Sequence, residues 1–117
     1  VNGVDDSSNE TQIISRKGVN MEVITIVEGK VPISKAKEFE TAYESLKQAT
    51  LTPGLVRSSL LRKNDNPEIY RIETVWESRD ALEKMRSSTQ TPKAIELFLK
   101  VKATLRLEIY DVVHNIP

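Results

Sequence analysis

The stretch Ile72-Glu73-Thr74-Val75-Trp76-Glu77-Ser78-Arg79-Asp80-Ala81-Leu82 decides the fold. It reads as the end of a strand running directly into a helix. β-Branched residues crowd its first half, where a pleated, half-buried surface suits them. Ser78 is placed to cap the helix, its hydroxyl accepting from a backbone N–H that has no partner inside the helix. Trp76, the only tryptophan in the chain, sits at the junction.

Working outward, residues 55–63 and 68–76 read as two strands. The turn chemistry of Asn64-Asp65-Asn66-Pro67 separates them, so they form an antiparallel hairpin. Residues 21–31 form an earlier strand. Met21, Val23, Thr25 and Val27 fall on one face and Ile24 and Ile26 on the other, the pattern of a strand covered on both sides. Pro32-Ile33-Ser34 ends it and offers Ser34 as the N-cap of a helix. That helix carries the apolar stripe Ala36, Phe39, Ala42, Tyr43 and Leu46, and Thr52-Pro53-Gly54 stops it. Downstream of Ser78, a short helix turns Ala81, Leu82 and Met85 inward. Residues 87–90 interrupt it. Thr91 then caps a second piece, with Pro92 at its first helical position and Ala94, Ile95, Phe98, Leu99 and Lys102 along its inner stripe. Residues 104–113 form the last strand, with Leu105, Leu107 and Ile109 on one face.

The order strand, helix, strand, strand, helix, strand is the split βαβ arrangement, an α+β ferredoxin-like fold. Its four-stranded antiparallel sheet carries the helices on one face and leaves the other bare. Apolar residues on that bare face predict a homodimer through sheet faces. One domain at residues 21–117 is expected. Residues 1–20 read as a polar arm or linker, with a short strand at residues 12–16 around Ile13 and Ile14.

Composition narrows the function. With 17 basic and 17 acidic residues, there is no electrostatic reason to expect nucleic acid as a partner. Without cysteine there is no thiol nucleophile, disulfide or thiolate metal site. No apolar run approaches the roughly 20 residues of a membrane span, and a cytoplasmic protein is expected. RNA-recognition domains share this element order, but they need aromatics on the two central strands; residues 21–27 have none. No metal site is expected: the one histidine, His114, follows the last strand without a partner.

Residues 21–113 resemble the antibiotic-biosynthesis-monooxygenase type domain of the dimeric α/β-barrel superfamily. The resemblance rests on the element order and on Thr74-Val75-Trp76-Glu77-Ser78 followed by Asp80-Ala81-Leu82. It implies a homodimer whose sheets form a barrel, with a pocket in each subunit between sheet and helices. It also implies oxygenation of a small planar phenol or quinol without a cofactor. Haem-degrading relatives use an asparagine, a tryptophan and a histidine at positions that are Val27, Met85 and Ile95 here, so haem degradation is not expected.

Such oxygenation needs an apolar slot, an acceptor for a substrate proton and donors for the developing oxyanion. Tyr43, Trp76 and Arg71 are the expected catalytic residues, with Phe39, Met85, Ile95 and Phe98 lining the pocket. Each has a plainer reading. Tyr43 serves as a core tyrosine, Trp76 as a core plug, and Arg71 with Glu73 as an ion pair on the sheet, joined by Arg57. Tyr70 and Tyr110 are further donors. The alternative to an enzyme is a non-catalytic dimeric module binding a small apolar or aromatic molecule on the same scaffold.

Overall fold

The computed structural model describes residues 21–49 and 52–117, with side chains as far as residue 46 in the first helix. The arm of residues 1–20, with its expected strand, lies outside the described residues. Strand β1 is Val23–Lys30, helix α1 Ala36–Ala49, β2 Leu55–Arg62, β3 Ile69–Trp76, α2 Arg79–Ser88, α3 Lys93–Lys100 and β4 Leu105–Asp111. The sheet runs β2-β3-β1-β4 and every neighbouring pair is antiparallel. This is the α+β ferredoxin-like fold, with the helices on one face.

Three local expectations are corrected. Ser34 caps nothing: a single 3-10 turn over Ile33–Lys35 leads into α1, and Pro32 precedes it without a side-chain cap bond. Helix α3 begins one residue later than expected, with Pro92 outside it and no side-chain cap. Its inner stripe also turns, because Leu97 and Phe98 are buried while Leu99 is 54% exposed. Ser78 does cap α2, its Oγ accepting from the Ala81 N–H at 3.1 Å; such a cap contributes about 1 kcal/mol.

Strand register arranges the helix-facing side chains in rows across the sheet. One row holds Leu55, Trp76 and Val23; the next Ser58, Thr74, Thr25 and Ile109; the next Leu60, Ile72, Val27 and Leu107; the last Arg62, Tyr70, Gly29 and Leu105. Two apolar clusters stand on these rows. At one end Phe39, Tyr70 and Phe98 stack, with ring centroids 5.1 Å and 4.8 Å from Phe39, over Val27 and Ile72. At the other end Trp76, Val23 and Leu82 pack together, with Met85 against them. The polar row of Ser58, Thr74 and Thr25 lies between the two.

Two glycines serve this packing. At Gly29 a Cβ would stand 2.7 Å from both Phe98 Cδ1 and the Thr104 carbonyl, so only glycine lets α3 settle on β1. Gly54 has φ +84°, a backbone region side chains avoid, and a Cβ there would strike Ala81. Helix α3 closes with a Schellman turn. The Ala103 N–H donates to Phe98 C=O and the Lys102 N–H to Leu99 C=O, both at 3.0 Å, which leaves Lys102 at φ 58° in the position glycine usually fills.

The far face of the sheet is more charged than its β-branched strands suggested. Arg71 donates to Glu28 through Nη2 at 2.8 Å and Nε at 3.2 Å, and reaches Glu73 at 3.4 Å. Arg106 donates to the other Glu28 oxygen at 3.0 Å. The hydrogen bond from Arg71, with the Arg106 charge beside it, holds the Glu28 carboxyl below its ordinary range against the opposing effect of burial. Apolar side chains remain on this face. Ile26 and Val75 are 8% and 5% exposed in the single chain, while Leu61 and Tyr110 are exposed.

Candidate functional site

A cavity of about 850 Å³ lies between the helix-facing side of the sheet and the helices. Its position follows from the rows. In the Trp76 row and the Ile72 row, Trp76, Val23, Ile72 and Val27 are long or branched, apolar and buried in the two clusters. Between them, the serine and threonine side chains are shorter, and space remains above them. Met85 of α2, Ile95 and Ala94 of α3, Leu46 of α1, and Leu60 and Leu55 of β2 give the walls their apolar character.

Polar groups converge on the floor. Tyr43 comes in from α1, and its Oη is 2.8 Å from Ser58 Oγ, which lies 3.5 Å from Thr74 Oγ1. These three hydroxyls carry three protons and use two in bonding one another. One O–H therefore remains to donate to a ligand, and the tyrosine or serine can exchange roles as donor. The Trp76 indole N–H donates to Thr25 Oγ1 at 3.1 Å. Thr25 accepts in that bond, which leaves its own proton free for the cavity. Arg86, near the end of α2, and Lys93, the first residue of α3, line the cavity, with Thr89, Gln90 and Pro92 of the connection between them.

The structure brings four of the seven expected site residues, Tyr43, Trp76, Met85 and Ile95, around this one cavity. Three do not join them. Arg71 alternates with Tyr70 and Ile72 along β3 and so projects from the opposite face, where Glu28 and Glu73 hold it. Phe39 and Phe98 are 1% and 0% exposed and fill the core beyond the end of the cavity. Of the other donors considered, Tyr70 gives its proton to Glu40, with Arg62 3.5 Å from the same oxygen. Burial, and then the Glu40 carboxylate, push that phenol above its usual value and keep it protonated. Tyr110 is exposed on the far face, and His114 is exposed beyond β4.

Ser58, Thr74, Thr25, Arg86 and Lys93 were not anticipated. The strand alternation that places Trp76 inward also places Thr74 inward, and that was the signal available for the floor. Ser58 was harder to see because β2 shifts register between Leu55 and Arg57.

Among the described residues no group of histidine, cysteine or carboxylate side chains is arranged to hold a metal ion. The cavity lining contains no histidine to serve as an axial haem ligand. No helix among the described residues is long and apolar enough to cross a membrane.

Solved structures share this architecture. A Deinococcus radiodurans protein described as a candidate antibiotic biosynthesis monooxygenase superposes with a TM-score of 0.68 at 18% identity, covering 81% of this chain and 96% of that one. SnoaB, a cofactor-independent oxygenase from Streptomyces nogalater, gives 0.62 at 21% identity over 83% and 98%. A haem-degrading protein from Mycobacterium tuberculosis gives 0.64 at 23% over 85% and 99%. No curated protein sequence matches the chain. The family model described as antibiotic biosynthesis monooxygenase matches residues 23–97, which run from the first residue of β1 into α3. That match spans more than half of the chain, and the chain belongs to the antibiotic biosynthesis monooxygenase family.

Proposed function

We propose that the chain is a cofactor-independent monooxygenase acting on a small planar phenol or quinol. The observation that supports this best is the convergence of Tyr43, Ser58 and Thr25 hydroxyls on the floor of a cavity whose walls carry Met85, Ile95, Leu46 and Leu60. The reaction balances without a further reductant. A phenol with an unsubstituted para carbon reacts with dioxygen to give a quinone and water. The phenol loses its O–H proton, and the anion passes one electron to dioxygen. The resulting pair joins at the para carbon. The peroxide is protonated, its O–O bond breaks as the carbon gives up its hydrogen, and one oxygen stays while the other leaves as water. In this reading the floor hydroxyls donate to the phenolate oxygen and then to the peroxide, where negative charge develops. Met85, Ile95 and Leu46 exclude water from the ring.

A non-catalytic binding module is the second reading, and one observation favours it. Among the described residues the only carboxylate lining the cavity is Glu108, which pairs with Ile26 on the opposite face of the sheet, so none of them supplies a general base from within. Oxygen uptake with a panel of naphthols, hydroquinones and anthrones separates the two. The oxygenase reading expects uptake matched one to one by quinone, and expects Tyr43→Phe to lower kcat/KM by about tenfold, the worth of one hydrogen bond of about 1.4 kcal/mol. No uptake across the panel rejects it. Full turnover in Tyr43→Phe removes that residue from the reaction.

The same reading includes a homodimer joined through the far face of the sheet. Leu61 and Tyr110 are exposed there beside the Glu28–Arg71–Arg106 cluster. Sedimentation at micromolar concentration should find a two-chain particle; a stable single-chain particle rejects this arrangement.

A further inference from the structure

The cavity is asymmetric in charge in a chain that is neutral overall. Two cations, Arg86 of α2 and Lys93 of α3, line it, and among the described residues no carboxylate lines it on the helix-facing side of the sheet. Among the described residues the Arg86 guanidinium has one weak partner, Glu83, at 3.7 Å, with both side chains about half exposed. A pair of that kind is worth about 0–1 kcal/mol and is readily exchanged for a better anion. Lys93 has no ion pair among the described residues. The Ser58, Thr74 and Thr25 hydroxyls belong to the sheet and the two cations to α2 and α3, so these polar groups come from opposing walls of a cavity that apolar side chains also line.

We propose that the cavity selects an aromatic carboxylate: a ring lying on Met85, Ile95 and Trp76, a hydroxyl on the Tyr43–Ser58 floor, and a carboxylate held by Arg86 and Lys93. This deepens the oxygenase reading by naming the substrate class, and it rests on that reading for the choice of cavity.

The test compares 6-hydroxy-2-naphthoate with 2-naphthol, which share a ring and a hydroxyl and differ in the carboxylate at the far end of the ring. Binding to the full chain is measured by titration calorimetry, with quenching of Trp76, the sole tryptophan and a cavity residue, as the second readout. The acid should bind about tenfold more tightly at low salt, and the ratio should shrink as salt rises from about 0.02 M to about 0.5 M. In the Arg86→Gln, Lys93→Gln double variant the ratio should fall to about one. Lys84→Gln removes a cation from α2 outside the cavity lining and should keep the ratio, which separates recognition from net charge. Circular dichroism checks that each variant is folded. Equal affinities in the parent chain overturn the inference, as does a preference that survives the double substitution or no binding of either compound. Should the affinities be equal while neutral phenols still drive oxygen uptake, this inference falls and the oxygenase reading stands. Selective binding of the acid without oxygen uptake on any phenol has the opposite meaning.

Discussion

Replacing Gly29 by alanine tests the packing that positions the cavity. The added methyl would lie 2.7 Å from Phe98 Cδ1, 2.9 Å from Phe98 Cε1 and 2.7 Å from the Thr104 carbonyl. None of these neighbours yields easily. The Phe98 ring is 0% exposed, with Phe39 at 4.8 Å, and the carbonyl belongs to the backbone entering β4. Overpacking of this kind costs about 1–3 kcal/mol, and two neighbours inside contact distance place this site near the upper end. Alanine restricts the unfolded chain and returns about 0.4–1 kcal/mol. The net loss is about 2 kcal/mol, and at roughly 4–8 °C per kcal/mol for a domain of this size the melting midpoint should fall by about 10 °C. Thermal melts and urea titrations by circular dichroism measure it, with the urea slope unchanged if the folded state keeps its extent. Adding Phe98→Leu makes room for the methyl, so the double variant should lose less than the sum of the two single losses. A fall of under about 2 °C for Gly29→Ala, or strict additivity with Phe98→Leu, would refute the reasoning.

Two further outcomes follow from the same geometry. Lys102→Gly should stabilise the fold by about 0.5–1 kcal/mol, read as a higher melting midpoint, because a non-glycine residue now occupies φ 58° at the end of α3; a lower midpoint would mean that the lysine side chain contributes more than its backbone costs. Glu28→Gln tests the far-face cluster. Its carboxyl is held below the ordinary value of 4.5, so its contribution to stability is fully present above that value and is lost as pH falls through the lowered one. The parent and variant should therefore differ at neutral pH and converge on acidification; a difference that persists well below that range would assign the effect to something other than ionisation.

Much of the fold was legible because strand alternation and turn chemistry are local. The hairpin at Asn64-Asp65-Asn66-Pro67, the Ser78 cap and the inward face of β4 all follow from neighbours within a few positions. Boundaries were less legible. Ser34 looks like a cap, but the chain takes a 3-10 turn first, and on an eight-residue helix a one-residue error in the stripe exchanged Leu97 for Leu99. The candidate site was only partly readable. A stripe says that Phe39 and Tyr43 face the sheet but not which row each meets; Phe39 meets Tyr70 and closes the core, while one turn later Tyr43 meets Ser58 and opens onto the cavity. Arg71 shows the limit differently. Its charge suggested chemistry, but the face it occupies depends on which side of the sheet the helices choose, which residues 69–75 alone do not specify.

The short-chain row of Ser58, Thr74 and Thr25 has a consequence for how such a protein diversifies. Grip is concentrated at two ends, in the stacked rings and in the tryptophan plug, and the waist between them carries little of the load. Exchanges among small residues at the waist would reshape what fits inside while both ends keep hold. One body plan can thereby accept new guests by changing three or four side chains in a single lateral band.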